Sequence, residues 1–160
     1  MKPTSTLGIT FLGLLIFFSG LGLLLFFSGG EDSHKAITTA ELDGRSIIQI
    51  LIDIKPNDFP NGFNPRSNGV IPVAVLTNAD FDARTVDPHT ARFGKQGHEA
   101  SVGHSTLVDV DGDGDRDLLL HFSVQDTGLH CGVTTATFTG HTFSGQALTG
   151  SDSLVPVGCR

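Results

Sequence analysis

From Leu7 to Phe27 the chain runs for 21 residues without a charge, broken only by Thr10, Ser19 and small glycines. Such a run cannot be left in water, and about 20 apolar residues suffice for a helix to cross a bilayer. A secretory signal peptide is the competing reading, with a shorter apolar region of about 7–15 residues and a small-residue cleavage site. Ser28-Gly29-Gly30 would serve as that site, whereas the length favours an uncleaved anchor. Lys2 precedes the run and Glu31 and Asp32 follow it, so the positive-inside rule leaves the N-terminus in the cytoplasm and the remainder outside. Residues 1–30 are therefore expected to form a hydrophobic helix, either signal peptide or membrane anchor through residues 7–27. Residues 31–45, polar and without apolar periodicity, read as a tether. Residues 46–160 are left as one domain, extracellular or cell-surface.

All but one of the ten basic residues lie after the apolar run, where they face all 17 acidic ones. That balance argues against nucleic acid as a partner, because phosphate binding needs clustered Lys and Arg. The chain has no Trp or Tyr, and five of its twelve Phe belong to the apolar run, which leaves few stacking platforms. Cys131 and Cys159 are the two cysteines, an even count in a chain bound for an oxidising space. A disulfide is the simplest reading, with Cα atoms within about 7 Å; two buried free thiols are the alternative. No C-x-x-C spacing supports zinc.

Within the domain, Ile47–Ile54 is short and rich in β-branched residues, as a strand requires, and Lys55-Pro56 should end it. Residues 56–69 hold three prolines and two Asn-Gly pairs and read as an ordered loop. Val70–Thr77 reads as a second strand, with Pro72 suggesting an edge or a bulge. Further strands are expected at Thr90–Phe93 and Leu118–Val124. Thr134–Gly140 and Gln146–Gly150 should form a hairpin. Strands at this spacing, with no convincing helix after the apolar run, predict an all-β fold, an immunoglobulin-like β-sandwich.

Between Asp109 and Asp117 an aspartate occupies every second position: Asp109, Asp111, Asp113, Asp115 and Asp117, with Gly112 and Gly114 between. Two unit charges about 5 Å apart repel by roughly 0.8 kcal/mol even in water, and several such pairs coexist here. A hard divalent cation offsets the repulsion. Ca²⁺ takes six to eight oxygens from loops that offer side chains at positions 1, 3 and 5, a glycine at 6, a carbonyl at 7 and an oxygen at 9. Those positions are Asp109, Asp111, Asp113, Gly114, the carbonyl of Asp115, and Asp117. Position 12 is Leu120, where an EF-hand carries a bidentate Glu, so a ligand must come from water or from afar. Asp152, in the turn Gly150-Ser151-Asp152, is a candidate. Mg²⁺ fits less well because it demands a tight octahedron.

The acidic loop resembles that of FG-GAP and related repeats, D-x-D-G-D-G-x-x-D-L, although one copy cannot build their propellers. A wider resemblance runs from Ile52 to Cys159. It is carried by Ile52-Asp53-Ile54-Lys55-Pro56, Asn64-Pro65, the stretch Gly69 to Leu76 (GVIPVAVL), Asp80-Phe81-Asp82, Thr85-Val86-Asp87-Pro88, the acidic loop, Cys131-Gly132, the stretch Gly150 to Ser153 (GSDS) and Gly158-Cys159. These resemble a family of uncharacterised β-modules appended to exported bacterial and archaeal proteins. The resemblance implies an extracellular accessory domain and transfers no catalytic residue.

Catalytic patterns fail on inspection. His98-Glu99 begins an H-E-x-x-H pattern, but residue 102 is Val. Gly103-His104-Ser105 lacks the closing glycine of a nucleophile elbow. The expectation is a non-catalytic calcium-binding structural or interaction module. A carbohydrate-binding or adhesion module with a protein or glycan partner, or the accessory unit of a secreted hydrolase, is the alternative.

Overall fold

Alternating apolar side chains pull the strands of this chain into one layered β-structure. The computed structural model describes residues 41–42 and 45–159; the apolar run Leu7–Phe27 and most of the tether lie outside them. Among the described residues no helix is long and apolar enough to cross a membrane. A short ribbon, β1 (Glu41–Leu42) with β2 (Arg45–Ser46), precedes the main sheet.

The main sheet uses β3 (Ile48–Gln49), β4 (Ile52–Ile54), β6 (Val70–Val75), β7 (Val86–Gly94), β8 (Ala100–Val108), β9 (Asp117–Ser123), β10 (Thr135–Thr142) and β11 (Ala147–Ser153). Two further strands, β5 (Gly62–Phe63) and β12 (Val155–Pro156), pair in parallel beside it. The hydrogen-bonded order is β3-β11-β10-β7-β8-β9-β6-β4. β8 pairs with β7 at Ser101 and Ala100 and with β9 from Val102 onward, so one strand serves both halves and the sheet curls.

The expected single strand Ile47–Ile54 is in fact two, β3 and β4, placed at opposite ends of that order. Between them Ile50 donates its N–H to Thr149 O, and the Leu51 carbonyl accepts from Leu76 N, so the segment bridges the two edges. Gly150 permits the crossing, since a Cβ there would stand 2.8 Å from Ile50 O. Pro72 lies on β6, between β9 and β4, and neither at an edge nor in a bulge. Its carbonyl accepts from Lys55 N just beyond the end of β4. A missing N–H costs little where the ladder stops.

Inward-facing residues from both halves form the core: Ile54, Ile71, Val73, Val75, Phe93, Leu120, Phe122, Phe138 and Leu148 are all buried. The rings of Phe93 and Phe122 join β7 to β9 at a centroid distance of 5.2 Å. Each such side chain contributes roughly 1.5–3 kcal/mol on burial. The expected hairpin is present as β10 and β11, antiparallel from Thr135↔Ser153 to His141↔Ala147. Cys131 and Cys159 form the expected disulfide, with Cα atoms 5.8 Å apart.

Candidate metal centre

The acidic residues connect two neighbouring antiparallel strands. Val108 ends β8, Asp117 begins β9, and the two are paired, so residues 109–116 form a closed loop across the end of a hairpin. Aspartates fold such a loop by turning the backbone N–H groups onto their own side chains. Asp109 accepts from Gly112 N (2.7 Å, Oδ1) and Gly114 N (3.1 Å, Oδ2). Asp111 accepts from Asp113 N, and Asp113 from Asp115 N. Gly112 and Gly114 have φ of +81° and +99° with nothing within 4 Å of a would-be Cβ, so backbone conformation, not crowding, calls for glycine.

Asp117 anchors the loop. It is fully buried, accepting from Val110 N (2.9 Å) on one oxygen and from Thr77 N (2.8 Å) on the other. Thr77, just past β6, also donates its hydroxyl to Arg116 O and accepts from Ala83 N. The loop is thereby fastened to the sheet at both of its ends.

Asp109, Asp111 and Asp117 each offer a carboxylate oxygen within 4.8 Å of the others, an arrangement able to hold a metal ion. Asp113 and Asp115 are exposed and lie outside that group of three. Desolvation holds the Asp111 carboxyl above its ordinary range; the Asp113 N–H opposes this, and repulsion from Asp113, Asp117 and Asp109 adds to it.

Asp152, the expected remote ligand, is not among the three carboxylates that lie together. Its Oδ2 accepts from Ile54 N (3.0 Å) and Asn61 Nδ2 (2.9 Å), binding β11 to the edge of β4. Another carboxylate outside the loop, Asp53 on β4, was passed over in the sequence reading. Burial raises its pKa, with repulsion from Asp152 and then Asp111 adding to the effect. A charged residue amid the isoleucines of IIQILIDI was the available signal: in a strand it must point away from the core.

Two other acidic residues, Glu99 and Asp82, have structural roles. Glu99 gathers the N–H groups of Gln96, Gly97 and His98 at 2.9–3.0 Å. Asp82 accepts from Arg84 N and pairs with its guanidinium at 2.7 Å. No protein-family model, curated protein or solved structure matches the chain.

Proposed function

We propose that this chain is a non-catalytic, extracellular calcium-binding module of structural or interaction type. The observation that carries the reading is that Asp109, Asp111 and Asp117 bring carboxylate oxygens within 4.8 Å of one another, on a loop pinned to the sheet by the buried Asp117. Three close carboxylates whose only donors among the described residues are backbone N–H groups suit a hard cation. Ca²⁺ is preferred to Mg²⁺ because it accepts seven or so ligands in a loose shell. On the loop spacing, Asp113 and the Asp115 carbonyl complete the shell with water, and a remote oxygen would come from Asp152 or Asp53.

Metal binding of this kind is folding energy, because only the native loop assembles the ligands. The module is read as exported, tethered through residues 7–27 or released by cleavage, and as akin to the β-modules of exported proteins. The fold is read as an immunoglobulin-like sandwich. The order β4-β6-β9-β8 followed by β7-β10-β11 corresponds, in chain order, to the A-B-E-D and C-F-G layers of that fold.

Isothermal titration of the detergent-solubilised chain should give one Ca²⁺ site that persists in millimolar Mg²⁺ and is lost in Asp111→Ala. Absence of binding, or equal binding by that variant, would refute the assignment. One observation favours the second reading, a glycan or protein partner. Phe143, 70% exposed, lines an open cleft of about 570 Å³ with Asp82, Arg84 and Gln146. Binding on a glycan array that is lost in Phe143→Ala would support it.

A further inference from the structure

We propose that His104 and His121 form a second metal site, taking a divalent ion of the imidazole-preferring zinc and copper class. The two residues stand directly opposite each other on β8 and β9, and their ring centroids are 5.8 Å apart. An ion about 2.0–2.1 Å from one nitrogen of each ring lies roughly 3.2 Å from each ring centre. Two rings 5.8 Å apart are therefore within the span of a single ion.

A distortion of the sheet creates this pairing. Val102 opposes Phe122 but His104 opposes His121, so β8 spends one extra residue, Gly103, where β9 spends none. In unbroken register His104 would face Leu120, whose side chain is fully buried in the core. The bulge turns the imidazole to the opposite face, beside His121. Bulges recur where a strand must re-aim a functional side chain.

A third observation is independent of the register. Nδ1 of His121 is shielded from solvent and has no hydrogen-bond partner. A shielded polar atom without a partner is unfavourable, and a bound ion is one of the few things that satisfies an imidazole lone pair. Neither ring is committed elsewhere by a hydrogen bond among the described residues, and His104 is exposed, free to adjust to a ligand. Two neutral nitrogens with water filling the remaining positions suit Zn²⁺ or Cu²⁺ rather than Ca²⁺, which prefers oxygen. The site is thus chemically distinct from the carboxylates of the loop.

Zn²⁺ titrated into the full chain, solubilised in detergent and saturated with Ca²⁺, tests this directly. The expected result is one Zn²⁺ site whose affinity falls by about tenfold or more in His104→Gln and in His121→Gln, with no change in His89→Gln. Cu²⁺ bound to the unaltered chain should show two nitrogen ligands by electron paramagnetic resonance, a readout independent of how well the variants fold. Lack of Zn²⁺ binding in Ca²⁺-saturated protein, an equal loss in His89→Gln, or a spectrum without two nitrogens would overturn the proposal. Because Ca²⁺ is saturating throughout, failure here leaves the calcium reading untouched, and failure of the calcium reading leaves this one standing.

Discussion

Two turns of this protein are built from the same material, a carboxylate accepting backbone N–H groups, and they differ in how fully the charge is compensated. In the turn before β8, one carboxylate, Glu99, collects three N–H groups. Burial works against its ionised form, yet the donors His98, Gln96 and Gly97 outweigh it and hold its pKa below the ordinary value. In the loop after β8, four carboxylates share six donors, of which only the Asp113 N–H reaches Asp111, and Asp111 ends up above its ordinary value, as does Asp53. The first turn closes on itself. In the second, desolvation first and mutual repulsion after it raise the carboxyls, and a bound cation would offset both.

The comparison can be broken most forcefully at Asp117. In chelator, where no metal contributes, Asp117→Ala strands the N–H groups of Thr77 and Val110 and should cost about 2–4 kcal/mol by urea denaturation. A loss below about 1 kcal/mol would mean that the loop is not fastened through this residue. Glu99→Gln should cost about 1–3 kcal/mol, with no dependence on Ca²⁺. Acid should act on the two turns in opposite senses. Stability from Glu99 is complete above its ordinary value of 4.5 and is lost as pH falls through its lowered pKa. In metal-free protein the raised Asp53 and Asp111 favour folding below their ordinary 3.8, and that contribution disappears as pH rises through their raised values. Chelator melts from pH 3 to 6 on Glu99→Gln and Asp53→Asn should separate the two.

Smaller effects sharpen the comparison. Asp53→Asn should stabilise the metal-free chain slightly, by well under about 1 kcal/mol once solvent screening is allowed for. It should also reduce the gain from Ca²⁺. The same sign in both conditions would remove Asp53 from the site. Asp115→Asn should matter least, because position 7 contributes a backbone carbonyl.

Features governed by local chemistry were legible in the sequence. The β10–β11 hairpin, β9, the disulfide and the acidic loop each follow from a short stretch of residues or from cysteine count. Strand β8 was missed because Ser101, His104, Thr106 and Val108 are exposed along it and no alternation marks it; it is held by pairing with β7 and β9. Ile47–Ile54 looked continuous because composition cannot reveal that its halves pair with different partners, β3 with Leu148 and Thr149 of β11 and β4 with Val73 to Val75 of β6, a matter of topology. Asp53 was missed for a related reason. Its approach to Asp111 depends on β4 lying beside β6, whose Ala74 separates Asp53 from Leu119 on β9.

The central claim is that the acidic loop is completed by calcium. The most direct measurement is the melting temperature of the full chain in chelator and in rising Ca²⁺. Stabilisation should grow as RT ln(1 + [L]/Kd), reaching about 2.7 kcal/mol at a hundredfold excess over Kd, and Asp111→Ala should abolish most of it. A melting temperature that is unchanged between chelator and millimolar Ca²⁺ would contradict the account.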